Sequence, residues 1–217
     1  MFVLAVDTAT PATSAAVAHV DETGVEIRAT ERVVDARRHG EELAPLIASA
    51  LATAGITPGD LSAIVAGVGP GPFTGLRVGL VTAAAMGHAL AVPTYGVCSL
   101  DAIGTLTTGR VLAATDARRR EVYWAVYDNG ERVDGPAVDK PAALAVDDVT
   151  SAVGDGAMLY AEVLGLPVAP EPRYPDLAAM VAVAAGRIRA GAPTEQLTPL
   201  YLRRPDAVPP PGVVVAS

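Results

Sequence analysis

A chain of 217 residues is long enough for one large domain or two small ones, and 51% hydrophobic residues with a mean hydropathy of +0.36 allow a sizeable core rather than disorder. A formal net charge of −8 argues against an independent grip on RNA or DNA, because neutralising the phosphate backbone dominates that affinity. The single cysteine, Cys98, excludes an internal disulfide, and His19, His39 and His88 show no pairing at ligand spacing, so a metal site built from this chain alone is not expected.

No stretch is long and apolar enough to span a bilayer, and Met1-Phe-Val-Leu-Ala-Val-Asp7 lacks a basic leader region, so the expected location is the cytoplasm. Residues 2–6 are β-rich with little alternation, the pattern of a central strand. They run into Asp7-Thr-Ala-Thr10, a polar corner ahead of Pro11, and the chain returns through residues 14–20 as a hairpin. Asp7, flanked by Thr8 and Thr10, fits two roles: holding a phosphate or a magnesium-bound water, or capping the turn. For the isolated chain the cap is preferred. Residues 25–34 make a third strand. Leu43, Leu46, Ile47, Ala50, Leu51 and Ala54 then follow helical spacing up to Gly55, with Pro45 placed in or near the first turn, where a missing N–H is tolerated. His39 offers a ligand or an acid, but the residue one turn on is Leu43, so a solvated helix start is the preferred reading.

Residues 61–66 form a short apolar run of the buried-strand kind, and residues 76–91 an alanine-rich helix with only Arg77, Thr82 and His88 polar. Between them, Gly67-Val-Gly-Pro-Gly-Pro-Phe-Thr-Gly75 stops the strand abruptly, because glycine supplies positive φ and proline denies a premature helix. Such a turn attracts phosphate. Yet Pro72 and Thr74 stand where a dinucleotide fingerprint needs glycine or alanine, and Leu76 and Arg77 where a P-loop needs lysine and a hydroxyl. Neither nucleotide motif is present. Gly75, Gly79, Ala83 and Gly87 recur every fourth residue and form one stripe of minimal side chains. Glycine in a helix costs on the order of 1 kcal/mol relative to alanine, so the stripe needs an offsetting close contact, inside its own domain or with another subunit.

Residues 92–97 read as a short strand, and a helix begins over 99–106. Gly104, Thr107, Thr108 and Gly109 mark a composition shift, which puts a boundary near residue 105 and divides the chain into 1–105 and 106–217. Residues 111–115 and 121–127 are two more strands, joined by Asp116-Ala-Arg-Arg-Arg120, and repeat the opening hairpin. The arginines suit either a bidentate phosphate clamp or a solvated turn. Residues 131–140 are polar and proline-bearing, 141–146 a short helix, and 152–157 a strand turning into a helix through 158–164. A proline-rich connection over 167–175 precedes a helix over 176–190. The chain then runs out past residue 205 into Val208-Pro-Pro-Pro-Gly212, and its last residues are expected to be extended or mobile.

Both halves thus open with a strand, a polar corner and a returning strand. This resembles the α/β plan of the duplicated RNase H-like fold of actin, Hsp70 and sugar kinases (ASKHA), with two subdomains. Leu4-Ala-Val-Asp-Thr-Ala-Thr10, His39-Gly-Glu-Glu-Leu-Ala-Pro-Leu-Ile47, Gly69-Pro-Gly-Pro-Phe-Thr-Gly-Leu-Arg-Val-Gly79, Asp116-Ala-Arg-Arg-Arg-Glu-Val-Tyr-Trp124, Gly154-Asp-Gly156 and Tyr201-Leu-Arg-Arg204 together resemble the bacterial TsaB (YeaZ) family. The likeness spans nearly the whole chain.

The resemblance implies a partner protein in making threonylcarbamoyladenosine in tRNAs that read codons beginning with A. There the transfer is performed by the paralogous TsaD, an ATPase, TsaE, joins the pair, and tRNA is met only through the complex. TsaD carries a His-x-x-x-His metal motif whose two positions fall here at Ser99 and Ile103. Neither replaces an imidazole, so no catalytic or metal residue is expected. The helices over 41–54 and 74–90, with Leu43, Ile47, Gly75, Gly79, Leu80, Ala83 and Gly87, are the expected partner surface, pairing with a second copy in isolation. Asp7 and Thr8 are expected to face Arg118 and Arg119 across the interdomain cleft as a vestigial nucleotide site. No cofactor is expected beyond weak ATP or ADP there or at a joint surface. A stand-alone ASKHA ATPase or small-molecule kinase is the rival reading, and it lacks the phosphate-loop glycines. A glycoprotease ranks last, for want of a nucleophile with a base or a zinc ligand set.

Overall fold

Two sheets of one plan account for most of the chain, and the computed structural model describes residues 1–203. The first sheet takes β1 (Phe2–Asp7), β2 (Ala12–Val20), β3 (Val25–Val34), β4 (Leu61–Gly67) and β5 (Thr94–Val97) in the order β3-β2-β1-β4-β5. β1 runs antiparallel to β2, with Asp7 opposite Ser14, and parallel to β4. The second sheet repeats the order with one strand fewer, β8-β7-β6-β9, from β6 (Arg110–Asp116), β7 (Val122–Asp128), β8 (Glu131–Asp139) and β9 (Ser151–Val153). This is the duplicated RNase H-like arrangement.

β1 and β4 are continuously apolar because both their faces are covered. Leu4, Val6, Ile64 and Ala66 face α1 (His39–Ala54) and α2 (Phe73–Leu90), while Val3, Ala5, Ala63 and Val65 face α6 (Leu177–Arg189). Asp176 starts α6 by accepting the Ala179 N–H at 2.9 Å, and Met180, Val181 and Ile188 are buried against the sheet. Each large side chain buried this way contributes roughly 1.5–3 kcal/mol. The short helices α3 (Asp101–Gly104), α4 (Asp155–Leu159) and α5 (Ala161–Leu164) complete the second half.

Three expectations need correction, and one stretch to which the sequence assigned no element proves to be a strand. The boundary near residue 105 separates the sheets, but α6 returns to cover the first sheet, so part of 106–217 belongs to the first half's core. The polar stretch after residue 130 is the edge strand β8, whose side chains are mostly exposed and so give no apolar alternation. Pro45 is the seventh residue of a helix that begins at His39, beyond its first turn. The helix expected over 99–106 is confined to Asp101–Gly104. The proline-rich end of the chain, expected to be extended or mobile, lies outside the described residues.

Candidate functional site

The corners of the two hairpins meet at a cleft of about 270 Å³, lined by Thr10 and Pro11 from the first hairpin, Asp116 and Arg118 from the second, His39 at the start of α1, and Pro72 to Gly75 at the start of α2. Its arginine turn is unusual. Arg118, Arg119 and Arg120 have φ of 62°, 56° and 62°, a left-handed run that non-glycine residues adopt at a cost of about 1–2 kcal/mol each. The turn is held by Asp116, whose Oδ1 accepts the Arg118 N–H at 2.9 Å and whose Oδ2 lies 3.4 Å from the Arg118 guanidinium.

Asp7 does not line the cleft. Its Oδ1 accepts the Ala9 N–H at 3.0 Å, which is the turn cap preferred from sequence, and its Oδ2 accepts the Ser99 hydroxyl at 2.6 Å. Gly67 lies so close that a Cβ there would overlap the carboxylate. Burial raises the Asp7 carboxyl to about 6, against the lowering effect of these bonds. Thr8 is likewise internal: its hydroxyl donates to the Gly75 carbonyl at 2.7 Å and accepts the Gly79 N–H at 3.0 Å, clamping β1 to α2. Of the four residues expected at a vestigial nucleotide site, only Arg118 and Arg119 border open space.

The small-residue stripe also faces inward. A Cβ on Gly79 would stand 2.6 Å from Thr8 Oγ1, one on Gly87 2.5 Å from Thr94 Cγ2, and one on Gly75 2.9 Å from the His39 ring. Ala83, Leu43, Ile47 and Leu80 are buried in the same core. The close contact that the glycines need is therefore made within the chain, and these seven residues offer no surface to a partner. The outward faces of the same helices carry small apolar side chains, Ala44, Pro45 and Ala48 on α1 and Val81, Ala84 and Ala85 on α2, beside the exposed polar residues Glu41 and Ser49 and Arg77 and His88, with Val81 66% exposed.

His39 is buried rather than solvated, with Nδ1 2.7 Å from the Thr13 hydroxyl, and desolvation lowers its pKa. Nothing near it in sequence signals this, because Thr13 comes from β2. Asp155 is a second group that sequence reasoning did not single out beyond its glycine-flanked motif. Burial raises its carboxyl to about 6, against the lowering effect of backbone hydrogen bonds from Asp116 and Gly156, and among the described residues its Oδ1 has no hydrogen-bond partner. Gly156 lets it approach, since a Cβ there would lie 2.5 Å from the Thr115 carbonyl carbon.

The positions of the metal histidines in the resembled transferase are closed. Ser99 is 1% exposed and committed to Asp7, and Ile103 is fully buried in the core of the second half. These residues do not fit a metal, and among the described residues no group of three or more His, Cys, Asp or Glu side chains is placed to hold one. Nor is any described helix long and apolar enough to cross a membrane.

A larger groove of about 710 Å³ adjoins the cleft. Gly71 to Phe73 form one wall, and Ala117 to Arg119 with Tyr123 another. Tyr201, Leu202 and Arg203 form the third. Tyr201 stacks on Phe73 with ring centroids 5.3 Å apart and accepts a hydrogen bond from Arg77 Nε at 2.9 Å, while Arg203 pairs with Glu121. These contacts tie the end of the described chain to both halves.

The family model for TsaD, tRNA N6-adenosine threonylcarbamoyltransferase, matches residues 32–180. An uncharacterized protein of Mycobacterium tuberculosis is 53% identical over 208 residues, covering 95% of this chain and 94% of that protein. The tRNA threonylcarbamoyladenosine biosynthesis protein TsaB of Escherichia coli is 35% identical over 139 residues, 60% of this chain and 57% of that protein. Two solved structures from Pseudomonas aeruginosa superpose over 93% of this chain and 99% of theirs. One, described as similar to the peptidase YeaZ, gives a TM-score of 0.77 at 30% identity, and YeaZ itself gives 0.76 at 28%. With the sheet order, the closed metal positions and these matches together, the chain belongs to the TsaB (YeaZ) family.

Proposed function

We propose that this protein is a non-catalytic partner and activator of a TsaD-type transferase in forming threonylcarbamoyladenosine in tRNAs that read codons beginning with A. The observation that carries this reading is the closure of the metal positions. Ser99 donates to a buried carboxylate and Ile103 fills a core, which supports a chain that does not itself supply the ligands of a metal-assisted transfer. The role of the Escherichia coli relative in tRNA threonylcarbamoyladenosine biosynthesis supports the pathway. In this reading a TsaE-like ATPase joins the pair, tRNA is engaged only through the complex, the interhairpin cleft is a vestigial nucleotide site, and the protein acts in the cytoplasm.

The partner surface is the outward face of α1 and α2, not the glycine stripe beneath it. Val81 stands 66% exposed next to the exposed alanines Ala84 and Ala85, and small side chains let another pair of helices approach closely. In isolation the same face would pair two copies about a two-fold axis, and a partner of the same fold would replace one copy. The experiment is a pull-down of the TsaD-like protein from the same organism. The unmodified chain retains it, and Val81→Asp, which leaves the core untouched, abolishes retention. Failure of the unmodified chain to bind overturns the reading, and full binding by the folded variant moves the surface elsewhere.

A further inference from the structure

Among the described residues the chain passes between the two halves after β5, again on entering α6, and once more over residues 197–203. The first two passages are built into the interior. Leu100 and Ile103 are fully buried after β5, and before α6 the Arg32 guanidinium of β3 donates to the Pro175 carbonyl at 2.7 Å. Buried passages of this kind leave a hinge about which two lobes can turn. The last passage is fastened differently. It starts from a firm anchor on the first half, where the Glu195 N–H donates to the Thr94 carbonyl at 2.8 Å, the Glu195 carboxylate lies 2.7 Å from Arg187, and Leu197 packs against the first core. Pro199 has no N–H to give to a ladder, and beyond it the side chains alternate. Leu200 and Leu202 pack against the core of the second half, while Tyr201 turns back onto Phe73 and Arg77 of α2. The Leu200 N–H donates to the Val68 carbonyl at 2.8 Å, and Arg203 pairs with Glu121 beside the second hairpin.

We propose that residues 197–203 are a releasable strap that holds the two halves at a fixed angle, closed by Tyr201 on α2 and by Arg203 on Glu121, and that parting these contacts lets the halves open along the larger groove. The groove's walls carry the geometry of this device: residues 71–73 come from the first half, residues 117–119 from the second, and residues 201–203 span the two. The fastenings are at the surface. Tyr201 is 43% exposed, and the side chains of Arg203 and Glu121 are 25% and 29% exposed, so water and salt compete with both contacts. The anchor at Glu195 and Leu197 is independent of them, so the strap detaches at one end and stays attached at the other.

The test measures the distance between the halves in the full chain, without any partner protein, so that its outcome is separate from that of the transferase-partner reading. Nitroxide labels are placed on Thr30→Cys in β3 and Val133→Cys in β8, both exposed strand positions, in a Cys98→Ala background, and their separation is read by double electron–electron resonance. With the strap intact, one narrow distance is expected at low salt. Tyr201→Ala and Arg203→Ala each add a second, longer distance. In Tyr201→Ala the share of the longer distance grows as salt rises, because the Arg203–Glu121 pair is then the remaining fastening and is screened. Arg38→Ala, which removes exposed ion pairs to Glu41 and Glu42 within the first half, leaves the single distance unchanged. Circular dichroism checks folding, with Tyr201→Phe, which removes only the hydroxyl that accepts from Arg77, as the milder variant should the alanine variants not fold. The proposal is overturned if the folded strap variants keep the single narrow distance, if the intact strap already shows both distances at low salt, or if Arg38→Ala produces the longer distance as well.

Discussion

Replacing Gly79 by alanine separates the two placements of the helix stripe. The new methyl would stand 2.6 Å from Thr8 Oγ1, so the threonine must rotate or β1 and α2 must part. Either movement breaks the hydroxyl's bonds to the Gly75 carbonyl, at 2.7 Å, and from the Gly79 N–H, at 3.0 Å. Overpacking costs about 1–3 kcal/mol, and each lost hydrogen bond about 1 kcal/mol. Alanine returns about 1 kcal/mol in helix propensity. The net expectation is destabilisation by about 2–4 kcal/mol, a large share of a typical domain's stability. The assay is urea unfolding followed by the fluorescence of the single tryptophan, Trp124. The same substitution made in a Thr8→Ala background should be neutral or stabilising by up to about 1 kcal/mol, because the methyl then occupies the space the threonine left. A Gly79→Ala protein as stable as the unmodified chain, or the same cost in both backgrounds, would refute the inward placement.

Stability should rise as the pH falls from 7 toward 5. Asp7 has a folded-state pKa of about 6 against an ordinary value of 3.8, so between those values the native state holds a proton that the unfolded state lacks. Asp155 acts in the same direction, with a folded pKa also near 6. Ionisation of Asp7 alone at pH 7 costs on the order of 3 kcal/mol. Asp7→Asn should therefore flatten the pH slope in urea unfolding, and an unchanged slope would count against burial as the cause. Installing the transferase's histidines, as Ser99→His with Ile103→His, should yield a destabilised protein without metal. Both positions are closed, and an imidazole in place of buried Ile103 lacks a partner. Stoichiometric zinc uptake by a folded double variant would contradict this.

Much of the architecture was legible because punctuation and burial agreed. The glycines and prolines after residue 67 mark the strand-to-helix junction, and β1 and β4 read as central strands because both of their faces are covered. The edge strand β8 left no such trace, since an exposed polar strand containing Pro136 looks like a loop. Helix α6 was foreseen, but not its position, which depends on contacts with strands far away in sequence. The stripe shows the same limit in sharper form: small residues at four-residue spacing announce a close approach, and Thr8, Thr94 and His39 decide with what. Asp7 was assigned its turn cap correctly. The bond from Ser99 was not foreseen, because it joins residues 92 positions apart.

The most direct measurement is tRNA modification by this chain and its TsaD-like partner, assayed separately and together with threonylcarbamoyl-AMP supplied. The account predicts no threonylcarbamoyladenosine from this chain alone, product when both are present with the TsaE-like ATPase, and loss of that product with Val81→Asp although the variant is folded. Product formed by this chain alone, or formed equally well by the partner without it, would contradict the account.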